Sequence, residues 1–367
     1  MKITAVVLNS VGGPVSVDTL DLDEPRAGEV LVKMAASGVC HSDQHVVTGR
    51  HPGDLPCVLG HEGAGEVVAL GPDVTQVRVG DRVALNWIPS CKTCFYCERG
   101  QHHLCREIVG PLWAGFLMDG TSRLSRDGQM IHHYSGISTW ADHMVVPQAC
   151  CSVLDSAVPF EVAALIGCAV ATGVGAALHQ GNVGPGDRVA VVGAGGVGLS
   201  VIMGAVMAGA ERIIAVDREP AKRDVALALG ATDFVMSDGS AIEEVQALTG
   251  GRGADVVFEA IGSPGLQQSW IDGVRPGGVL VLVGIGGTTE TTPFNCAELT
   301  RGHKSIKGSY FAATDAGQAI EDLCAAYLAG RLPVDRLISK RVRIDDVQQA
   351  LDAMLSGTEG RTVIVYD

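Results

Sequence analysis

The chain lacks any excess of positive charge. Its 27 lysines and arginines face 41 aspartates and glutamates, a formal net charge of −14. A surface of that sign repels phosphate backbones and excludes nucleic acid as a partner. Any anionic ligand must be held locally, by a helix N-terminus or a few placed cations. A signal-peptide layout is also missing: Met1-Lys-Ile-Thr-Ala-Val-Val-Leu8 alternates like a strand, with no basic head leading into an apolar core. Low-complexity tracts and long linkers are absent as well. One uncharged run, the 22 residues from Val189 to Ala210, reaches membrane-spanning length. It carries six glycines and opens as a strand and turn, so a buried soluble segment is expected and no membrane partner.

With 367 residues, the chain exceeds what one small core organises, and two domains are expected. Hydrophobic residues at 47% and charged ones at 19% are ordinary for a globular protein. The 11 cysteines are an odd number. Without secretion signals they are expected to be reduced, in the cytoplasm, as metal ligands or buried small hydrophobes.

Four of those cysteines, Cys91, Cys94, Cys97 and Cys105, fall within fifteen residues. Thiolates so spaced close a tetrahedron around zinc at about 2.3 Å. A filled tetrahedron leaves no open position, so this metal braces a lobe and does not react. A nucleic-acid zinc ribbon has the same spacing, but the acidic charge argues against it.

A glycine fingerprint, Gly193-Ala-Gly195-Gly196-Val197-Gly198, follows an apolar strand and opens a helix, and Asp217 lies 19 residues beyond Gly198. In a dinucleotide site Gly193 permits the tight turn, Gly195 lets the backbone approach the pyrophosphate, and Gly198 lets helix and strand pack. Asp217 would bind the adenosine ribose and repel a 2′-phosphate, favouring NAD; Arg218 beside it softens that preference. Around the fingerprint, strands are expected at 189–192, 212–216, 234–236, 255–258 and 279–283. Helices are expected at 196–208, 220–229, 242–248 and 266–274. This alternation specifies a doubly wound parallel sheet, a Rossmann domain. Residues before about 155 read instead as short strands between turns. The tail reads as helices at 315–329 and 345–356 and a last strand at 361–366.

A third group is scattered: Cys40-His41-Ser42-Asp43-Gln44-His45, Gly60-His61-Glu62, and Cys168 within Leu165-Ile-Gly-Cys-Ala-Val-Ala-Thr172. Composition alone does not say that they meet. Each taken singly reads as a core cysteine or a surface histidine.

Together these motifs, with Asp119-Gly-Thr-Ser-Arg123 and Ile131-His-His133, resemble the zinc-dependent medium-chain alcohol dehydrogenases over essentially the whole chain. The stretch 119–123 with 131–133 resembles the long-lobed liver-type and glutathione-dependent formaldehyde dehydrogenase members, and parts of the chain resemble nitroso-aniline-dependent actinobacterial enzymes. The resemblance implies an α/β fold. A GroES-like β-rich catalytic domain takes residues 1–170 and 312–367, with a structural zinc lobe at about 90–106. A Rossmann NAD-binding domain takes 171–311. It implies two zinc ions per subunit, the second held by Cys40, His61 and Cys168 with one position left for the substrate oxygen. Asp43 would orient His61, and Glu62 would lie behind the metal. Ser42 would receive the alcohol proton and pass it by way of the nicotinamide ribose to His45. His41 and Arg361 would face the pyrophosphate, His41 standing where Arg is frequent. Thr172, Val283 and Ile285 would complete the NAD contacts with the fingerprint residues.

The substrate side of the resemblance departs from glutathione-adduct enzymes, which place an Arg in the segment that follows the last lobe cysteine. Residues 107–118 hold no Arg or Lys. Trp87, Trp113, Phe116, Trp140 and Ile285 are expected around the substrate, pointing to a primary alcohol or aldehyde with an apolar or aromatic body. The alternatives are a thiol-adduct formaldehyde dehydrogenase, a zinc-free quinone reductase, a polyol dehydrogenase, and a binding protein that holds zinc and NADH without turnover. A homo-oligomer is expected, a dimer before a tetramer.

Overall fold

Short β-branched runs set the strands of the N-terminal region. Lys2–Leu8 pairs antiparallel with Val15–Leu22, and with Leu124–Arg126, Gln129–His133 and Cys57–Val58 it closes a barrel. The computed structural model describes residues 1–51, 53–357 and 360–367. A seven-stranded sheet in the same region is built on Glu29–Gly38, which pairs with Gly63–Leu70, His143–Pro147 and the C-terminal strand Arg361–Val365. Ion pairing braces one loop of this region. Arg123, only 1% exposed, donates to Glu29 at 2.9 and 2.6 Å and to Asp119 at 2.7 Å.

By its internal contacts the chain divides into two units, Met1–Cys168 with Thr314–Gly330 and Ile338–Asp367, and Ala169–Ala313 with Arg331–Leu337. The second unit is a six-stranded parallel sheet. In chain order its strands are Arg188–Val192, Arg212–Asp217, Asp233–Met236, Ala254–Glu259, Val274–Leu282 and Ser305–Gly308. They lie in the order third, second, first, fourth, fifth, sixth, the doubly wound topology in which ligands bind at the carboxyl ends of the strands. Ala190, Val192, Ile214, Val216, Val257 and Leu280 build its core with Trp270, because strands covered on both faces are continuously apolar.

Several local readings shift. The helix expected to reach Val274 is Pro264–Ser269, and Val274 already opens the next strand. Buried Trp270 and the turn from Trp270 to Gly273 end it early. The helices Arg106–Trp113 and Cys296–Gly302 and the strands Ser305–Gly308 and Ile338–Val342 were not foreseen. Pro111 inside the first of these hides the helical pattern. One helical run, Phe160–Gln180, is apolar and long enough to cross a bilayer by composition, and most of it is buried in the protein.

Candidate active site

Local capping folds the Cys40 segment. The helix His41–Val47 starts from Cys40, and Asp43 at its third position reaches back to accept the Cys40 amide at 3.1 Å. The other carboxylate oxygen of Asp43 accepts the Gly60 amide at 3.1 Å and faces His61 Nδ1 at 3.1 Å. Asp43 is fully buried, so one carboxylate ties two separate loops together. His61 Nε2 is buried and has no hydrogen-bond partner. Cys168 reaches the same place from the segment Ile166–Val170, wound as a π-helix, a form concentrated at functional sites.

The scattered residues therefore meet: ligand atoms of Cys40, His61, Glu62 and Cys168 all lie within 4.8 Å of one another, and all four residues are buried. A hydrogen bond from Cys168 holds the Cys40 thiol well below its ordinary pKa, and the same bond, with burial, raises Cys168. Burial works against charge on His61, but Asp43 and Cys40 outweigh it and raise its pKa. Two thiols, an imidazole nitrogen fixed by a carboxylate, and an unpartnered buried Nε2 fit a zinc ion with three protein ligands. Glu62 is buried behind them, and burial pushes it up to about 7 against the pull of Arg361. No side chain fits at position 38, where a Cβ would lie 1.9 Å from Glu62 Oε2.

The four-cysteine cluster also closes. A tetrahedron about 2.3 Å in radius sets its sulfurs about 3.8 Å apart. Here Cys91–Cys97, Cys94–Cys97 and Cys94–Cys105 are 3.9, 3.6 and 3.9 Å apart. Amides of Cys91 and Cys94 donate to Cys105 and Cys91 sulfurs at 3.3 Å; hydrogen bonds from Thr93 and Cys94 lower Cys91 to about 6, while burial pushes Cys97 up to about 12. Asp315 docks the lobe: it accepts from Ser90 at 3.1 Å and pairs with Lys92 while capping the helix Ala316–Leu328 through Gln318 at 3.1 Å.

Around His61 stands an aromatic wall. Trp87 and Tyr134 present edges to it at 6.4 and 5.4 Å between centroids, and Trp113 stands against both. Tyr134 was missed in the sequence, where it follows two histidines without any pattern. One expected pocket residue is elsewhere. Trp140 is a core residue with no exposed surface, its indole N–H donating to the Gly38 carbonyl at 3.1 Å. Phe116 packs on His132 at 5.4 Å. Ser42 lies beside the cluster, its Oγ 3.8 Å from Cys40 Sγ. His45 is half-buried with its ring 4.7 Å from that of His51. Burial, then His51, Arg50 and His41, lower its pKa to about 4. His41 is exposed on the first helical turn. Arg361, expected against a pyrophosphate, is 5% exposed and directs its charge to Glu62.

In the second unit the fingerprint has the geometry a dinucleotide needs. Gly193 has φ +98°, a Cβ on Gly198 would lie 1.7 Å from the Gly193 carbonyl, and at Gly195 a Cβ would meet nothing within 4 Å. Gly195 is thus open to a ligand, and the helix Gly196–Ala208 begins there with no side-chain cap. Val197 lies in its first turn. Asp217 is 6% exposed; it accepts the Ala194 amide at 2.7 Å and Lys222 Nζ at 3.1 Å. Lys222 was not singled out, although a cation one helical turn after a strand-end acid is a readable signal. Arg218 points into solvent beside Glu219. Thr172 is half-buried in the helix Ala171–Gly175, while Val283 is buried and Ile285 48% exposed after the strand Val274–Leu282.

Residues 26–156 match the family model of the alcohol dehydrogenase GroES-like domain, and residues 196–326 match that of the zinc-binding dehydrogenases. An S-(hydroxymethyl)glutathione dehydrogenase from Synechocystis is 36% identical, with 100% of both chains covered. An NDMA-dependent alcohol dehydrogenase from Amycolatopsis methanolica is 35% identical over 100% of this chain and 99% of that one. Among solved structures, a benzyl alcohol dehydrogenase from Acinetobacter calcoaceticus superposes with a TM-score of 0.93 at 30% identity, 100% of both chains being covered.

Proposed function

Because the chain belongs to the zinc-dependent medium-chain alcohol dehydrogenase family, we propose that it oxidises a primary alcohol with an apolar or aromatic body to the aldehyde, reversibly, with NAD as hydride acceptor. The observation that carries this reading is the meeting of Cys40, His61, Glu62 and Cys168 beside Trp87, Trp113 and Tyr134. Zinc bound there would supply a Lewis acid that makes the alcohol a stronger proton donor, and NAD would take up the hydride.

The chain's own residues do the rest. Cys40, His61 and Cys168 hold the metal, and Asp43 keeps His61 in the tautomer with a free Nε2. Ser42 Oγ receives the alcohol proton, and His45 delivers it to solvent. With its pKa lowered to about 4, His45 is neutral at physiological pH and a weak base there, so in this reading it carries the proton only in passing to solvent. The aromatic edges turn away charged or strongly hydrated substrates. Cys91, Cys94, Cys97 and Cys105 hold a second zinc that braces the lobe, giving two per subunit.

The protein acts as a cytoplasmic homodimer in this reading. The strand Ser305–Gly308 is the last of its sheet and has no further neighbour among the described residues, which leaves an edge for a second copy to extend.

The test is NADH formation across ethanol, hexanol, benzyl and cinnamyl alcohols, with zinc content measured on wild type and Cys168→Ser. Efficiency that rises with apolar size, and is lost with one zinc in the variant, supports the reading. Equal efficiency on ethanol and benzyl alcohol overturns the substrate class. Turnover appearing only with an artificial acceptor marks a cofactor recycled in place, as the name of the Amycolatopsis relative suggests. The name of the Synechocystis relative favours a second reading, oxidation of a glutathione–formaldehyde adduct. Adding that adduct to the panel decides between them.

A further inference from the structure

Glu259 ends the strand Ala254–Glu259 and has no exposed surface. A buried carboxylate is costly unless hydrogen bonds or a cation meet its charge. Among the described residues, the hydrogen bonds that meet it come from neutral N–H groups. Oε1 accepts the amides of Ile261 at 2.9 Å, Gly262 at 2.8 Å and Ser263 at 3.4 Å, and Oε2 accepts Gln267 Nε2 at 3.2 Å. Gln267 is itself fixed by Thr292, which donates to its Oε1 at 2.6 Å. Three consecutive amides on one oxygen hold the turn after this strand in a single conformation.

That turn is wedged between two others. Towards the glycine fingerprint, a Cβ on Gly193 would lie 2.6 Å from Ile261 Cγ1. Towards the turn after Val274–Leu282, a Cβ on Gly262 would lie 2.5 Å from the Ile285 carbonyl, and one on Gly284 would lie 2.0 Å from the Gly262 amide. Val283 and Gly284 both donate their amides to the Glu259 carbonyl at 2.9 Å. Three turns at the carboxyl ends of three neighbouring strands therefore touch, the 260–263 and 283–285 turns backbone to backbone and the Gly193 turn against the Ile261 side chain. Ile261 and Ile285, 46% and 48% exposed, are the apolar faces that this junction presents.

We infer that Glu259 is a positioning residue for the coenzyme. Its carboxylate locks the turn 260–263, and through close glycine contacts that turn sets both the phosphate-approach turn at Gly193 and the apolar turn at 283–285. The inference rests on the reading of this unit as the NAD site. Its physical logic is preorganisation: a turn already ordered in the free protein does not have to be ordered by the ligand. Glu259 is buried and its carboxylate is bonded to the turn and to Gln267, so the role assigned to it is positioning and not catalytic.

The test uses the full chain, zinc-loaded. NADH binding is titrated by fluorescence for wild type, Glu259→Leu and Glu259→Gln, with zinc content and the KM for alcohol measured alongside. Glu259→Leu is expected to raise the Kd of NADH on the order of tenfold, since small displacements of binding groups are expensive. Zinc content and the alcohol KM stay near wild type. Glu259→Gln keeps an oxygen for the three amides and is expected to restore most of the affinity. A general loss of fold would instead lower zinc content and active fraction together, leaving the Kd of the folded fraction unchanged.

Amide exchange on NAD-free wild type keeps the inference decidable if Glu259→Leu does not fold: the amides of residues 261–263 are expected to exchange as slowly as those of the adjoining strand. Fast exchange there, or wild-type NADH affinity in Glu259→Leu, overturns it. Wild type that binds no NADH at all overturns the coenzyme reading itself, and this inference with it.

Discussion

Trp113 stands edge to face against Trp87, 5.7 Å between ring centroids and 86° between planes. The two differ in exposure, Trp87 at 7% and Trp113 at 45%. Trp87 is a fixed wall close to His61, and Trp113 is a half-open surface that a substrate ring would complete. An aromatic contact of this kind adds about 1 kcal/mol beyond the area it buries. Trp113→Ala is therefore expected to lower kcat/KM for benzyl alcohol about fivefold relative to ethanol, since each 1.4 kcal/mol or so is a factor of ten. Assaying both alcohols on one preparation cancels any loss of active protein. An unchanged ratio would return Trp113 to the status of a surface residue of the lobe.

Asp315 joins the cysteine lobe to a helix that lies more than two hundred residues later in the sequence. Its side chain caps that helix and also faces Ser90 and Lys92. Asp315→Ala removes the cap and the lobe contact together and is expected to cost about 1–2 kcal/mol. Lys92→Ala removes one exposed partner and is expected to cost less than about 1 kcal/mol. Thermal unfolding ranks the two variants, and limited proteolysis within residues 90–106 reports the lobe directly. Equal effects would mean that the ion pair, and not the cap, dominates.

Acid stability follows from His133. It is buried, and burial, aided by Arg123 and His132, lowers its pKa to about 3. Its Nε2 accepts the Arg123 amide at 3.3 Å, so the folded protein holds it neutral. The unfolded chain protonates it near its ordinary value, about 6.5. Between those values the unfolded state binds more protons, so stability falls as pH falls through that window, by at most about 1.4 kcal/mol per pH unit from this group. His133→Gln keeps an acceptor without the titration and is expected to flatten the fall of Tm between about pH 7 and about pH 5. Parallel curves for the two proteins would remove His133 as a cause.

The legible parts of this molecule were those in which spacing alone carries geometry. The four cysteines are close in sequence and so had to be close in space. The fingerprint glycines act within one turn, and 193, 195 and 198 each have the steric setting that the sequence implies. Cys40, His61 and Cys168 come from three separate segments, so only the resemblance to a family joined them before the fold did. Trp140 misled because size and aromaticity are the same in a core as in a pocket; its hydrogen bond to Gly38 is a property of the fold. Tyr134 and Glu259 were unreadable for a related reason, and Lys222 is readable only once Asp217 is placed at the end of a strand. Each acquires its role from a neighbour brought by topology: His61 for Tyr134, the end of a strand for Lys222, three turn amides for Glu259.

Asp43 shows how much of the metal site depends on a residue that does not ligate. It accepts the Cys40 amide, the Gly60 amide and the His61 ring, each at 3.1 Å, with no exposed surface. Asp43→Asn preserves shape but turns one acceptor into a donor facing an N–H group. Either the amide of Cys40 or the pair at Gly60 and His61 then loses its partner. Losing the His61 bond frees the ring to rotate and to change tautomer, and losing the Cys40 bond loosens the start of its helix. Outer partners of this kind typically change metal affinity 10- to about 100-fold. The expected result is that a chelator strips one zinc from Asp43→Asn far faster than from wild type. A zinc held by Cys91, Cys94, Cys97 and Cys105 would be removed at the wild-type rate, because the hydrogen-bond partners of Asp43 among the described residues are Cys40, Gly60 and His61. Two zinc ions lost in parallel would mean that Asp43 supports the fold of the whole unit and not the one site.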